Sequence, residues 1–415
     1  MKRPIHVLGL GANGAESFSP RAQEALRAAT FIAGGKRHLA LVVSRAIETF
    51  AITNNLNALF ARLRDRGPDE RCVVLASGDP LCFGIGATLR RELGSEPLEI
   101  EPALSSLQLA FARTARSWHD AAIASIHGRP TASVLIPLLG APKIGLFTQD
   151  GSSPAAVAEF FLERGLDDYQ AWVCEDLGSP AECVTMLPLQ DLPNRRFGDL
   201  NFMVLIRHDR DEGKGPHQCS TPRPVVPADN LFARPASGPV LLTHQDVRSV
   251  VLNRFDDLRP GPIWDLGAGL GGVSVGLANQ FPAHDVLAVE RSPTQLEYLR
   301  MNRARFNAWN LRIIHGTAPE AIGDEPAPAA VFLGGSGSQL DPILDLVFDR
   351  LVPEGIFVAN FVGLENLART LERLQSEGWS PTVSQLQVSP GQDLAGLTTF
   401  VPQRPVWIVR GRRPA

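Results

Sequence analysis

Ile263-Trp264-Asp265-Leu266-Gly267-Ala268-Gly269-Leu270-Gly271-Gly272 decides the fold of the second half of the chain. A short β-rich run feeds a glycine turn, and the turn feeds a helical run, Val273–Gln280. Glycines let the backbone turn tightly and come close to a ligand, and the following helix adds its positive N-terminal pole. Strand, turn and helix in that order open a βαβ unit of a parallel sheet. Outward from it the same grammar repeats. Strands are expected at Pro262–Leu266, Asp285–Glu290, Leu311–His315, Ala330–Leu333, Gly355–Asn360 and Val406–Arg410. Helices are expected at Gln245–Phe255, Val273–Gln280, Pro293–Phe306, Leu340–Leu351 and Leu364–Glu377.

Ligands of such sheets bind where the strands end at their carboxyl side. Asp265 stands just before the glycine loop, where a carboxylate can hold a ligand ammonium and would repel a dinucleotide pyrophosphate. Glu290 ends the next strand, placed to accept from two ribose hydroxyls. The small residues of His315-Gly316-Thr317-Ala318-Pro319-Glu320 let an adenine lie against backbone, and Gly334-Gly335-Ser336-Gly337-Ser338 can shape a substrate cleft. Together these favour S-adenosylmethionine over NAD. Upstream, Thr243 is a candidate cap of the helix that carries Val247 and Arg248.

The first half is also α/β. Its expected strands are Ile5–Leu8, Cys72–Leu75, Leu98–Glu101, Lys143–Phe147, Ala171–Cys174 and Phe202–Ile206. Helical spacing covers Arg21–Ala29, Leu56–Arg66, Thr88–Leu93 and Pro154–Arg164. Residues 209–225 are polar, rich in proline and glycine and without period, and divide a 1–208 domain from a 226–415 domain as a linker. Each half is expected to bury its own core, which agrees with two or three domains for 415 residues at roughly 150 per domain.

Composition narrows the function. Hydrophobic residues at 44% and charged residues at 20% describe a globular chain. Forty basic against 44 acidic residues, a net charge of −4, do not suit a coat for nucleic acid or an anionic membrane. No apolar run nears the roughly 20 residues of a membrane span. Met1–Val7 runs directly into a glycine turn, unlike a signal peptide. Five scattered cysteines without a CxxC pair offer no zinc site, and the expected home is the cytoplasm. Only Lys2, Lys36, Lys143 and Lys214 are lysine; the other basic residues are arginine, the better grip for carboxylates.

Thr243-x-x-x-Val247-Arg248, Trp264-Asp265-Leu266-Gly267-Ala268-Gly269, Gly316-Thr317-Ala318-Pro319-Glu320-Ala321 and Gly334-Gly335-Ser336-Gly337 resemble the decarboxylating precorrin methyltransferase domain of cobalamin biosynthesis. The resemblance implies a Rossmann-like methyltransferase with S-adenosylmethionine contacts at Thr243, Gly267, Ala268, Gly269, Leu270, Gly271, Glu290 and Ala318. Thr317 stands where the family usually has Asp, and His244 where it has Lys. Ala76-Ser77-Gly78-Asp79-Pro80, Pro102-Ala103-Leu104-Ser105-Ser106-Leu107-Gln108, Ser125-Ile126-His127-Gly128-Arg129 and Phe147-Thr148-Gln149-Asp150 resemble, in this order, the two-lobed tetrapyrrole methylase family. That implies cofactor-side roles for Gly78, Asp79, Pro80, Ser105, Ser106 and Thr148, and substrate-side roles for His127 and Arg129. The turn Gly11-Ala12-Asn13-Gly14 lacks the family's usual proline.

Joined on one chain, the two resemblances imply a bifunctional enzyme with two S-adenosylmethionine sites and no metal. It would methylate precorrin-6B or its cobalt form at carbons 5 and 15 and decarboxylate the ring C acetate to give precorrin-8. Thr243, Arg248, Ser336, His127 and Arg129 are then the catalytic candidates, with Arg129 and Arg248 gripping the carboxylates of the tetrapyrrole. A homo-oligomer is expected, with neither nucleic acid nor membrane as partner. The alternatives are a methyltransferase acting on RNA and a non-catalytic S-adenosylmethionine-binding protein.

Overall fold

The computed structural model describes residues 2–11, 14–42, 47–208, 224–236 and 242–415. Most of the expected linker, 209–223, and Ala12-Asn13 of the first turn lie outside the described residues. The chain divides into two compact units. The first comprises Met1–Arg129, Ala141–Ala158 and Asp168–Pro216; the second comprises Pro130–Gly140, Glu159–Asp167 and His217–Ala415.

The first unit holds two sheets. Strands β1 (Ile5–Leu10), β2 (Phe31–Gly34), β3 (Glu48–Ala51), β4 (Cys72–Ser77) and β5 (Leu98–Glu101) form one, ordered β3-β2-β4-β1-β5 and parallel throughout. Helices α1 (Pro20–Ala28), α2 (Lys36–Val42), α3 (Leu56–Arg64) and α4 (Ile85–Leu93) connect these strands in βαβ fashion. α1 starts where Ser19 accepts from Ala22 N at 3.1 Å and Pro20 fixes the first turn. Apolar cores lie on both faces, around Val7, Val74 and Leu63 on one and Leu8, Ile32 and Leu75 on the other. After α5 (Ser106–Arg113) come β6 (Ala122–Ser125), α6 (Thr131–Leu135), β7 (Lys143–Phe147), α7 (Ser153–Leu162), β8 (Tyr169–Glu175), β9 (Cys183–Pro188) and β10 (Asn201–Arg207). The second sheet runs β6-β7-β10-β8-β9, with only β6 and β7 parallel.

The second unit is one sheet of seven strands. β11 (Ile263–Leu266), β12 (Val286–Glu290), β13 (Leu311–His315), β14 (Ala330–Leu333) and β15 (Ile356–Phe361) are parallel in the order β13-β12-β11-β14-β15. Helices α8 (Gln245–Leu252), α9 (Gly272–Gln280), α10 (Pro293–Arg305), α11 (Leu340–Arg350) and α12 (Leu364–Ser376) cover it, and separate cores on its two faces centre on Val275 and Ala288 and on Trp264 and Leu344. A wholly parallel sheet would follow from the βαβ rhythm, but the edge is antiparallel. β16 (Thr382–Leu386) pairs with β19 (Val406–Arg412), and β19 pairs antiparallel with β15. Between them β17 (Gly391–Leu394) and β18 (Leu397–Phe400) form a two-stranded ribbon.

Gly9 of β1 sits against the turn after β4: a Cβ there would lie 2.0 Å from the Gly78 carbonyl oxygen and 2.5 Å from Ala103 N. Gly9→Ala therefore forces backbone apart and is expected to cost about 1–3 kcal/mol, as overpacking does. Gly67→Ala meets nothing within 4 Å and should be near neutral. Thermal melts read both, at roughly 2–4 °C per kcal/mol for a unit of this size; an unchanged melting temperature in Gly9→Ala would refute the close approach.

Candidate functional site

Each unit encloses a cleft of its own. In the second unit it measures about 470 Å³ and opens where β11, β12, β13 and β14 end. The glycine loop forms its floor. Gly267, Gly269 and Gly271 have φ of 78°, 58° and 85°, a left-handed region that β-carbon-bearing residues avoid. Gly267 N and Ala268 N both donate to the Val289 carbonyl, at 3.0 and 3.1 Å, tying the loop to β12. Gly269 N donates to Glu290 Oε2 at 2.8 Å, and Ser292 N to Oε1 at 2.8 Å. Each Glu290 oxygen keeps a second lone pair, and the side chain lines the cleft.

Asp265 also lines it and is only 1% exposed. The Ser274 hydroxyl donates to Oδ2, while Oδ1 is buried without a partner. Burial first, then the neighbouring Glu290, pushes its carboxyl up to about 7. A buried carboxylate oxygen with no donor, beside a second acid, is built for a cationic ligand. The ammonium and sulfonium of S-adenosylmethionine fit that requirement, and Glu290 has acceptors to spare for hydroxyls.

The first unit's cleft is about 500 Å³. Gly78, Ser105, Ser106, His127 and Thr148 line it together with Ser77, His38 and Leu104. Gly78 turns at φ 57°, and a Cβ there would lie 2.8 Å from Ser105 Cα, so the two loops touch through this glycine. Ser105 N donates to Gln108 Oε1 at 2.9 Å and the Ser105 side chain accepts from the Gln108 backbone amide, closing the first turn of α5 as a capping box. Thr148 Oγ1 lies 2.6 Å from Asn201 Oδ1. His38 Nε2 is 2.9 Å from Ser77 Oγ, and burial, with Arg37 adding, holds its pKa below the usual histidine range. Leu104, 60% exposed, and Phe83 add apolar surface. Hydroxyls and an apolar wall suit a ligand with a flat ring and a polar tail.

Residues 4–193 match the model of the Tetrapyrrole (Corrin/Porphyrin) Methylases, and residues 237–411 that of a Precorrin methyltransferase domain. A Precorrin-6Y C(5,15)-methyltransferase [decarboxylating] of Mycobacterium tuberculosis is 31% identical over 98% of this chain and 100% of its own. The chain belongs to the precorrin-6Y C(5,15)-methyltransferase (decarboxylating) family. Two relatives from Salmonella typhimurium each correspond to about half of it. A Cobalt-precorrin-6B C(15)-methyltransferase (decarboxylating) is 37% identical over 44% of this chain and 93% of its own. A Cobalt-precorrin-7 C(5)-methyltransferase is 33% identical over 49% of this chain and 98% of its own. This is a family of S-adenosylmethionine-dependent decarboxylating C-methyltransferases of cobalamin biosynthesis.

Within this precorrin methyltransferase, the second cleft brings together Thr243, Asp265, Gly267, Ala268, Gly269, Glu290, Thr317, Ala318 and Ser336. Leu270 and Gly271 do not line it. Leu270 is buried, and Gly271 caps α9, its Cβ position only 2.3 Å from Leu299. Arg248 is a correction: the side chain is 0% exposed and cannot grip a substrate. Its Nη1 donates at 2.6 Å to both Asp229 Oδ1 and the Thr243 carbonyl, and its Nη2 donates to the Pro227 carbonyl. In the first cleft Asp79, Pro80 and Arg129 are likewise absent from the lining. Asp79 Oδ1 accepts from Leu81 N at 2.8 Å and Pro80 O from Gly86 N at 2.8 Å, so both shape the turn, while Arg129 stands exposed outside.

Residues missed by sequence reasoning include Ser77 and His38 in the first cleft and Arg291, Asn360 and Arg404 in the second. Arg291 directly follows Glu290, so strand-end position could have flagged it. Arg404 lies in an irregular polar stretch that no periodicity marks.

The Asp265 carboxyl sits near 4 in an unfolded chain and at about 7 in the folded one. Its contribution to stability is therefore complete below pH 4 and lost as pH rises through 7. Asp265→Asn should remove that slope and raise the stability of ligand-free protein at pH 8, by on the order of 2–4 kcal/mol. It should also weaken S-adenosylmethionine binding. Denaturant midpoints at pH 5 and pH 8 check the first outcome and titration calorimetry the second; identical slopes in both proteins would place the charge elsewhere.

Proposed function

We propose that the 226–415 domain methylates carbon 15 and decarboxylates the ring C acetate, and that the 1–208 domain methylates carbon 5. Each would use its own S-adenosylmethionine, and the substrate would be precorrin-6B or its cobalt form, converted to precorrin-8. The observation that carries this is the unpartnered Oδ1 of buried Asp265, set beside Glu290 in one cleft, with a second, differently built cleft in the other unit. Half-length relatives named for carbon 15 with decarboxylation and for carbon 5 support the division.

When bound, S-adenosylmethionine supplies an electrophilic methyl group whose departing sulfur keeps the electron pair of the broken bond. Asp265 would hold its ammonium, Glu290 its ribose hydroxyls, and Thr317 and Ala318 would flank the adenine. Thr243 and Ser336 are the hydroxyls left on the reacting side of the second cleft. Methyl transfer to carbon needs alignment and exclusion of water more than a strong base, and close-packed glycine loops supply both. Loss of carbon dioxide leaves an electron pair that the conjugated macrocycle can take up, as an electron sink does. In the first cleft Ser105, Ser106 and Thr148 would hold the donor and His127 would meet the pigment.

Among the described residues no helix is long and apolar enough to cross a membrane, and no group of three or more His, Cys, Asp or Glu is gathered for a metal ion. Neither cleft carries a feature that favours RNA or a purely sensory role. Free Cys72, Cys82, Cys174 and Cys183 support a reducing cytoplasm. The expected homo-oligomer would find apolar surface on the β17–β18 ribbon, where Leu394, Leu397 and Phe400 are exposed.

Two substitutions in the full chain test the division. Gly269→Arg fills the loop that Glu290 braces and should abolish the carbon-15 methyl and carbon dioxide release, lowering their rate at least a hundredfold. Ser106→Trp fills the first cleft and should abolish only the carbon-5 methyl. Mass spectrometry of the pigment with labelled S-adenosylmethionine separates the two. Carbon dioxide release that follows Ser106 rather than Gly269 would reverse the assignment.

A further inference from the structure

We propose that one face of the antiparallel extension of the second unit's sheet is the wall on which the precorrin macrocycle lies, with Arg404 anchoring a carboxylate arm that is retained in the product. This rests on the reading that the second cleft performs the carbon-15 chemistry. It goes beyond that reading by naming the part of the fold that recognises the pigment.

The extension is a continuous ribbon. Leu386 pairs with Val406, Gln403 N donates to the Val388 carbonyl at 2.8 Å, and Val401 N to the Pro390 carbonyl at 3.0 Å. Along a strand alternate residues share a face. Leu386 of β16 and Val406 of β19 line the cleft, and so do Val388, Gln403 and Arg404 of the irregular segments that continue the two strands. Val362, 56% exposed at the end of β15, adds to the same lining. Apolar side chains flanked by an arginine match a flat hydrophobic ring fringed with carboxylates. They do not match S-adenosylmethionine, whose cationic end is already met by Asp265 at the glycine loop.

The guanidinium of Arg404 is free for this task. Several other arginines of the unit are engaged, Arg248 with Asp229, Arg312 with Glu325, Arg373 with Asp341 and Arg410 with Asp256. Arg291, which lines the cleft directly after Glu290, has no side-chain partner among the described residues either, but Arg404 is the one beside the apolar wall. Arg404 has no hydrogen-bond or ion-pair partner among the described residues. A planar fork of donors takes a carboxylate in bidentate fashion, which a lysine cannot do.

The arm so held is not the one that is lost. Decarboxylation moves negative charge off the carboxylate, so an ion pair formed in the ground state would raise the barrier. Asn360 offers the contrasting environment. It lines the same cleft, and the NH2 of its side-chain amide can donate to an acetate and orient it without neutralising it.

Steady-state kinetics with precorrin-6B on the full-length protein test the wall. Arg404→Ala should raise KM for the pigment about ten- to a hundredfold, the range expected when a charge-assisted hydrogen bond is lost. kcat for the carbon-15 methyl, the one-to-one ratio of that methyl to carbon dioxide, and the Kd for S-adenosylmethionine should stay within about threefold. Arg404→Lys should recover part of the lost affinity, and Arg369→Ala, a surface ion-pair residue, should behave as the parent. Val388→Asp, which sets a like charge against the carboxylates, should raise KM as well. An unchanged KM in both Arg404→Ala and Val388→Asp would overturn the proposal, as would a fall in kcat at constant KM or a loss of S-adenosylmethionine affinity. If Gly269→Arg still forms the carbon-15 methyl, the assignment of the cleft is what has failed; if Gly269→Arg blocks it and Arg404→Ala changes nothing, only the wall has.

Discussion

A buried carboxylate with one oxygen left unpartnered sets the terms for the second unit. Asp265 ends a strand whose other residues are apolar and fully enclosed, so its charge has no water to lean on. Only Ser274 relieves it, from the first turn of the helix that the glycine loop begins. That loop must therefore be short and tight, which the three left-handed glycines allow, and it must be fastened, which the Val289 carbonyl and Glu290 do. The neighbouring acid raises the cost further. Folding alone would be better served by an amide at this position. The arrangement makes sense as energy stored for a cation, released when the ligand binds.

The first unit solves the same problem with different chemistry. Its cleft has no buried acid of this kind at the turn: Asp79 is spent on Leu81 N, and the polar groups facing the cavity include hydroxyls. A donor held by hydroxyls depends weakly on pH, whereas one held by Asp265 must follow the titration of that acid. The two halves differ in sheet as well as site, and no duplication relates them: one unit pairs a parallel sheet with a mostly antiparallel one, the other has a single sheet with an antiparallel edge.

What the sequence disclosed follows burial. Ala330–Leu333 and Lys143–Phe147 occur as predicted because they are buried and so read as apolar runs with sharp ends, and Leu98–Glu101 because its apolar and acidic residues alternate. Ser292-Pro293 announces α10 by its capping chemistry. The strands left unread are those whose residues face water: Glu48–Ala51 and Cys183–Pro188 are half exposed, and Gly391–Leu394 is exposed throughout. Phe31–Gly34 was hidden differently, being buried but only four residues long and following directly on a helix. In the site, motifs found the glycine loops, Asp265 and Glu290, since close approach restricts those positions to few residue types. They could not find Asn360 or Arg404, which many residue types could replace without harm to the fold.

The arginines show why composition can name a chemistry and miss its residues. Their abundance pointed to carboxylate recognition, and the sequence pattern singled out Arg248. Yet a guanidinium with five donors is also an effective internal brace, able to close several carbonyls and a carboxylate at once. Arg66 and Arg248 are used in this way, each fully buried and donating to backbone oxygens of distant segments. A brace and a substrate anchor look alike in sequence, because both lie near glycine loops and both need a planar fork. They part company on one measurable property, whether the fork already has its acceptors. Arg248 has its own in Asp229, Thr243 and Pro227, whereas Arg404 meets none among the described residues. In the proposal above, recognition of a polycarboxylate falls to an arginine that the fold leaves unsatisfied, at the edge of the sheet where an antiparallel ribbon, and not the repeated alternation of strand and helix, supplies the wall.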